Sequence, residues 1–473
     1  MRRTLGAASL LLALSFTPSA QANGMLGHMY TSEQAISHVV TPELKQLLLD
    51  HPDQYLNGSF LPDSGYAAGD GYGEIAHWSG FVQGYISWIQ QHFSPPYTEG
   101  VAAEHVAVLL GAASHGMADE AFDILLYDQS VVRDGDPVEL DTGTDVWLVN
   151  DRVIDYDPPV VVDAAALSEV FLTFTQHAVA PEVILDGMSK AKSAHAIVRN
   201  LLAAGHQRFR DQYPWASKAY LDPSVPGSYP YNARVIAAYW EQIWRRLNGN
   251  QSVDQGLIAG IDPAPVGEPA ARYLKLDHTD LGGWITLFTG HGMDRDSLTA
   301  DNIQLLDPSG NVVPVSLRLR GDKWVHTIQL KPDVDPEPQV VYQVRVSTGA
   351  KTLNGSQLAS DFVADILTDC SAEDPAPCAK PDATGGAAGA GGGAGDGVGG
   401  SVGGAGGGAP GGGAGSSHAA GDDGDSGCSI AALPHPRSKN PPGNSDSRPW
   451  LPLSVALSAL WLLRREQTGC STT

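Results

Sequence analysis

Between Thr41 and about Leu247, apolar residues recur at the spacing of buried helix faces. Pro42-Glu43-Leu44 followed by Leu47, Leu48 and Leu49 opens one helix, with Thr41 as its cap and Pro42 in the first turn, where a missing N–H is harmless. The same period returns over residues 81–93, 102–116, 164–179, 194–209 and 235–247, and proline-bearing loops separate the runs. The pattern predicts an α-helical bundle with long connections.

After Pro263 and Pro265 the period shortens. Residues 273–276, 284–287, 313–319, 326–330 and 340–346 are short, β-rich and partly alternating, with turn signals at Asp307-Pro308-Ser309-Gly310 and Leu353-Asn354-Gly355-Ser356. They predict a sandwich of about 100 residues. Nothing in it suggests catalysis, so it reads as a spacer or an ancillary binding module.

The two ends read as addresses. Arg2 and Arg3 precede an apolar run over residues 5–16, and Ala20-Gln21-Ala22 supplies a cleavage site, which makes a secretory signal with Asn23 as the mature first residue. At the other end, residues 450–463 are almost wholly apolar and run into Arg464-Arg465, a stretch shorter than the ~20 residues that span a bilayer core. From Gly385 to Gly415, 19 of 31 residues are glycine, which is a flexible tether. Cys370 and Cys378 bracket an acidic stretch and, in an exported chain, read as a small disulfide loop rather than a metal site. The expected organisation is multidomain: a signal at 1–22, an all-α domain at 23–262, an all-β sandwich at 267–368, a Cys-containing and Gly-rich disordered linker at 369–448, and an apolar tail at 449–473.

Charge narrows the function. The 473 residues carry 29 Lys+Arg against 53 Asp+Glu, a net −24, which excludes a general basic field for nucleic acid or an anionic membrane. Between Asn23 and Asn150 stand 18 Asp+Glu, only Lys45 and Arg133 as basic residues, and seven of the 15 histidines. Acids and histidines enriched together, with almost nothing to neutralise them, point to metal as the missing positive charge. No cysteine falls there, so the ligands are nitrogen and oxygen, a set that suits Zn²⁺. His115, Asp119 and Asp123 are spaced to share one helix face, and Asp141 and Asp145 form a second pair four apart. His28, Asp63 and His77 lie upstream. His38, His51, His92 and His105 read as surface or helix-packing residues, and Trp78 and Phe81 as core.

Five ordered blocks carry a resemblance. They are Gly27-His28; Leu47-Leu48-Leu49-Asp50-His51-Pro52-Asp53-Gln54-Tyr55 leading to Phe60-Leu61-Pro62-Asp63; His77-Trp78-Ser79-Gly80-Phe81; Leu110-Gly111-Ala112-Ala113-Ser114-His115-Gly116-Met117-Ala118-Asp119; and Gly143-Thr144-Asp145. Together they resemble the zinc-dependent phospholipase C superfamily, closest to the catalytic domain of its glycosylphosphatidylinositol-specific phospholipase D branch. The resemblance implies a helical domain with a trinuclear zinc site. One zinc would take Asp63, His77, His115 and Asp119. A second would take His28, the other oxygen of Asp119, and the amine and carbonyl of Asn23 once the signal is removed. The third departs from the pattern: Asp123 and Pro137 stand where the family has histidine. Asp141 still matches the carboxylate ligand, and Asp145 or Glu139 fills the gap. That position is altered, weakly occupied, or taken by an oxygen-preferring cation such as Ca²⁺ or Mn²⁺.

The implied chemistry is metal-assisted hydrolysis of a phosphodiester, with Asp63 and Asp119 as catalytic carboxylates and Asp63 as proton acceptor. The substrate would be a phospholipid or glycolipid phosphodiester. A nuclease-branch phosphodiesterase of the superfamily, and a noncatalytic metal-stabilised surface adhesion protein, are the alternatives; scarce Lys and Arg disfavour nucleic acid as partner. The order of the sandwich, with its Asp-Pro-Ser-Gly-Asn turn, a strand toward Pro332, Tyr342-Gln343-Val344 and a closing Asp361-Phe362, resembles bacterial Ig-like modules. The Gly-rich stalk, Cys428, apolar segment and arginines resemble a myxobacterial C-terminal sorting tag, which implies retention at the Gram-negative outer membrane surface.

Overall fold

The helix foreseen behind Thr41 begins at Pro42, but Thr41 does not cap it. Its hydroxyl donates instead to Glu241 Oε2 at 2.5 Å, while the N–H groups of Val40 and Thr41 both donate to Glu241 Oε1 at 2.9 Å. One buried carboxylate thus ties the start of this helix to the last helix of the bundle. In the computed structural model the described residues are 23–368 without 136–137, 153–155, 198–204, 251–256, 264–283, 321–323, 335 and 338–339. The signal at 1–22, the strand expected at 273–276, Pro137, the three cysteines at 370, 378 and 428, the glycine-rich linker and the apolar tail lie outside them.

The helices are α1 (Met25–Ile36), α2 (Pro42–Asp50), α3 (Pro52–Ala68), α4 (Tyr72–Ala76), α5 (Ser79–His92), α6 (Gly100–Ala121), α7 (Asp128–Asp134), α8 (Leu140–Arg152), α9 (Ala164–Thr175), α10 (Pro181–Ile197), α11 (His206–Gln212), α12 (Ala216–Ala219) and α13 (Tyr229–Leu247). Among the described residues none is long and apolar enough to cross a membrane. The run expected at 194–209 falls across the end of α10 and the start of α11. Helices α1, α3 and α8 went unforeseen because their polar site residues interrupt the apolar period.

Helices α3 and α6 cross with their backbones almost touching. A Cβ on Gly58 would stand 2.2 Å from the Val108 carbonyl oxygen, and one on Gly111 2.1 Å from that of Tyr55. Only glycine permits this approach, and it sets Asp63 of α3 beside His115 and Asp119 of α6. Helix α6 runs past its expected end at 116 to Ala121 and then widens into a π-helical stretch, Phe122–Tyr127. That wider turn breaks the i, i+4, i+8 row before Asp123.

Among the described residues eight strands follow: β1 (Ile258–Asp262), β2 (Ile285–Asp294), β3 (Ile303–Leu306), β4 (Val312–Val313), β5 (Val315–Arg320), β6 (Trp324–Pro332), β7 (Val341–Val346) and β8 (Phe362–Leu367). They form two four-stranded antiparallel sheets, ordered β1-β2-β6-β5 and β4-β3-β7-β8. Ile285, Leu287, Ile328 and Leu330 of the first meet Ile303, Leu305, Val344 and Ile366 of the second in one apolar core, so the sheets make a sandwich. Strand β1 lies inside the stretch assigned from sequence to the helical domain; its pairing with β2 puts it in the sheet.

The sandwich is joined to the bundle by more than a linker. Phe288 of β2 is buried in the helical core, Tyr231 of α13 donates to the Ile261 carbonyl at 3.2 Å, and Thr327 of β6 donates to the carboxylate of Glu120 on α6. The expectation of a spacer is therefore corrected: one face of the first sheet packs on α13 and on the end of α6.

Candidate metal centre

The centre is assembled from four helices, each held in register by a short polar contact. Asp145 of α8 accepts from the N–H groups of Leu26 at 3.2 Å and Gly27 at 2.9 Å, satisfying two of the unpaired donors that open α1. His28 follows at once and is buried. A Cβ on Gly27 would lie 2.4 Å from Tyr229 Oη, so α1 sits hard against α13. His115 Nδ1 donates to the Ser59 carbonyl of α3 at 2.7 Å, and His77 Nδ1, just beyond α4, to the Gly73 carbonyl at 2.6 Å. Carbonyl oxygens only accept, so in the neutral rings the proton sits on Nδ1 and Nε2 carries a lone pair.

The donor atoms converge on Asp119. Its Oδ2 lies 3.3 Å from His115 Nε2 and 3.6 Å from His77 Nε2. Its Oδ1 lies 3.1 Å from His28 Nε2 and 3.0 Å from the backbone nitrogen of Asn23. Asp63 Oδ1 lies 3.7 Å from His115 Nε2 and 3.9 Å from His77 Nε2. The rings of His28 and His115 stack with centroids 3.6 Å apart, and His77 Nε2 stands 3.0 Å from His115 Nε2. Two overlapping groups, His28–Asp63–His115 and His77–His115–Asp119, each keep their donor atoms within 4.8 Å of one another.

Asp119 thus turns one oxygen to each group, as a bridging carboxylate does. The residues fit a metal ion on a further observation: both ring nitrogens of His28 and both side-chain polar atoms of Asn23 are buried without a hydrogen-bond partner, despite the short His28–Asp119 approach. Buried polar groups left in that state cost free energy that a cation would offset.

Electrostatics agree. Burial would lower the pKa of His28, but the carboxylates of Asp119, Asp63 and Asp145 outweigh it and hold it above the ordinary value. Burial and the positive charge of His28 push His115 well down. Burial would raise Asp119, but His28, His115 and His77 pull it below the usual carboxylate range. Asp63 is raised, chiefly by burial. A site mixing upward and downward shifts of this kind is one that a divalent cation would resolve.

The remaining expected ligands are arranged differently. Asp123 belongs to neither group; it is pushed up to about 9 by burial and the charge of Asp119, and its Oδ1 has no hydrogen-bond partner. Asp141 is raised to about 7 by burial. Asp145 uses both oxygens on the backbone of α1, so the structure places it as the cap that positions His28, where the sequence suggested a ligand. Glu139 accepts from Arg208 Nη2 at 2.7 Å. His105 bonds Tyr85 Oη at 2.9 Å and Phe81 is fully buried, both as packing residues.

Trp78 differs from expectation: 39 % of it is exposed. Its Nε1 donates to Glu74 Oε1 at 2.8 Å while Tyr66 Oη donates to Glu74 Oε2 at 2.7 Å, and the Tyr66 ring lies 5.4 Å from that of His77. One carboxylate therefore fixes two aromatic side chains at the rim of the centre. Only the i, i+4 spacing of Glu74 and Trp78 hinted at it. Gly116 was also missed: a Cβ there would stand 2.2 Å from the His77 carbonyl oxygen.

No family model matches the chain. It is similar to the phosphatidylinositol-glycan-specific phospholipase D of Rattus norvegicus, 29% identical over 134 residues that make up 26% of this chain and 16% of that protein. The Bos taurus protein of the same name is 30% identical over 135 residues, with the same shares. The chain thus spans 16% of the length of these curated relatives. Among solved structures, the N-terminal part of the bacterial S-layer protein SbsC aligns over 62% of this chain and 78% of its own at 9% identity and a TM-score of 0.19, a likeness that carries no argument about fold or function. The sequence similarity supports a relation to phospholipase-type hydrolases.

Proposed function

We propose that the chain is an exported zinc-dependent phosphodiesterase acting on phospholipid or glycosylphosphatidylinositol-type substrates. The observation that carries this reading is the facing pair of unprotonated Nε2 atoms on His77 and His115, 3.0 Å apart beside two carboxylates. A tetrahedral ion bound at ~2.0–2.1 Å has ligand–ligand edges of about 3.3 Å. The donor separations around Asp119 Oδ2 bracket that value. An all-nitrogen-and-oxygen set with three imidazoles favours zinc over calcium or magnesium.

Zinc in such a site supplies Lewis acidity toward a phosphoryl oxygen and a lowered pKa for water. The protein's own groups do the rest. Asp63 is the most exposed of the five side chains, at 25%, and burial raises its pKa, which suits a carboxylate that accepts a proton. Asp119, held low by three imidazoles, stays ionised as the bridge between the two groups. Asn23 N lies 3.0 Å from Asp119 Oδ1, so cleavage after Ala22 would turn an amide into an amine beside the second group. The sandwich is read as a bacterial Ig-like module, and the tail as an anchor to the outer surface.

The test is zinc content of the mature protein together with turnover of phosphatidylcholine, phosphatidylinositol, a glycosylphosphatidylinositol and single-stranded DNA. Lipid turnover that zinc chelation abolishes is expected, and the phosphorus-containing product separates C-type from D-type cleavage. Bound zinc with no turnover of any substrate would sink the hydrolase reading and leave the metal-stabilised adhesion protein.

A further inference from the structure

An anionic substrate at the acidic centre would use a cationic side chain beside the metal ions, and Lys45, Arg133, Arg208 and Arg246 of the helical domain are engaged elsewhere. Lys45 Nζ donates to the Ser37 carbonyl at 3.2 Å, and Arg133 lies over Trp215 and donates to Gln129. Arg208 pairs with Glu139 at 2.7 Å, and Arg246 is bound to Gln83 and the Gly290 carbonyl.

The sheet register brings in another. Phe288 of β2 is packed in the helical core and pairs with Thr327 of β6, whose hydroxyl donates to Glu120, the neighbour of Asp119. Thr327 in turn pairs with Arg320 at the end of β5. Directly paired residues of antiparallel strands project from the same face. Arg320 therefore leaves the sheet on the side that meets α6, while its neighbour Leu319 turns into the sandwich core.

We infer that Arg320, supplied by the sandwich, is an anion-binding residue of the metal centre that holds the phosphoryl oxygens of the substrate. The inference rests on the phosphodiesterase reading for its substrate, but not for its geometry. Arg320 is half-buried on this side of the sheet and is paired with Thr327, whose hydroxyl meets Glu120 of α6, and burial raises the pKa of Asp128 against the charge of Arg320. Arg318, two residues back on the same face, adds to this at Asp128. A half-buried guanidinium presents planar paired donors suited to a phosphoryl group, and it remains charged at every working pH. The sandwich is thereby part of the site.

The experiment is calorimetric titration of inorganic phosphate into the zinc-loaded full chain, for the parent, Arg320→Gln and Arg320→Lys. Arg320→Gln is expected to weaken phosphate binding by about 10- to 100-fold with zinc content and melting temperature unchanged, and Arg320→Lys to restore part of the loss. If lipid turnover is found, KM rises in Arg320→Gln more than kcat falls. Phosphate binding equal to the parent in Arg320→Gln overturns the proposal, as does a loss that tracks zinc loss. Because phosphate binding needs no turnover, a protein without hydrolase activity still decides the role of Arg320.

Discussion

His115 faces His77 with their Nε2 atoms 3.0 Å apart, and it also stacks on His28 at 3.6 Å between ring centroids. It belongs to both groups of converging donors, whereas His77 belongs to one. Replacing His115 by alanine should therefore abolish binding of both cations, and His77→Ala should spare the one beside His28. Elemental analysis of the purified variants checks this. Equal zinc content in the two variants would mean that the groups are not separate sites. Chelation should also lower the melting temperature, since free zinc at a hundredfold above Kd adds about 2.7 kcal/mol to stability.

The mature N-terminus offers a second test. Asn23 N is 3.0 Å from Asp119 Oδ1, and Asn23 is buried with its side-chain amide unpartnered. A chain beginning at Asn23 should bind one more zinc than a chain that keeps even two residues before it, because an amide nitrogen is a poor donor to zinc. Identical stoichiometry in the two would exclude the amine as a ligand.

Much of this centre was legible because its residues are chemically rare: His and Asp in quantity, with hardly any Lys or Arg, carry a signal that survives without structure. Asp63, His77, His115 and Asp119 were read as one set; the structure brings both carboxylates within 4 Å of His77 and His115, but groups Asp63 with His28 and His115, and Asp119 with His77 and His115. What stayed hidden depends on contacts distant in sequence. Asp145 carries the same carboxylate as Asp119, and nothing local says that it caps α1 across more than a hundred residues. Asp123 fell out of line because a π-helical stretch replaced the α spacing, and π turns leave no strong sequence signature. Arg320 was invisible because a strand register decides where it points. The halves of the fold were readable from the change of period at Pro263, while strand β1 escaped because five residues before the prolines gave no alternation to read.

Metal affinity should depend on pH in a defined direction. His28 is held above its ordinary value by its carboxylate neighbours and Asp63 is raised by burial, so both keep protons to higher pH than free side chains do. A cation must displace those protons. Affinity therefore falls as pH is lowered, by about tenfold per pH unit for each proton displaced. His115, pushed well down by burial and the charge of His28, contributes less to the slope than His28. Zinc titrations at several pH values measure it, and calorimetry in buffers of different ionisation enthalpy counts the protons; a flat profile would remove His28 and Asp63 from the ligand set.

Gly116 lies between two ligands in space as well as next to one in sequence. A Cβ there would stand 2.2 Å from the carbonyl oxygen of His77 and 3.2 Å from its carbonyl carbon, so alanine must push the His77 backbone away. Overpacking of this kind costs about 1–3 kcal/mol. Gly116→Ala should melt lower and lose zinc with it, whereas Gly135→Ala, at a position open on all sides with φ of 94°, should melt lower and keep its zinc. Full zinc content in Gly116→Ala would show that the His77 position tolerates displacement.

Asp145 separates a ligand from a support. Both oxygens accept backbone N–H groups of α1, and a Cβ on Gly24 would lie 2.3 Å from its carboxyl carbon, so the carboxylate fills the space under the first turn. Burial raises its pKa to about 7 against the pull of those two N–H groups, so near neutral pH it caps α1 in both protonation states. Asparagine keeps an oxygen acceptor and is among the best capping residues. Asp145→Asn should therefore lose about 1 kcal/mol of stability yet retain full zinc stoichiometry. Asp145→Ala removes every acceptor from a buried helix start and should weaken zinc at His28 as well as stability. A metal ligand behaves otherwise, since a neutral amide is a poor substitute for a carboxylate at zinc and both variants would lose the ion together. The difference in zinc content between Asn and Ala at 145, measured on folded protein of matched circular dichroism, assigns the residue to one role or the other.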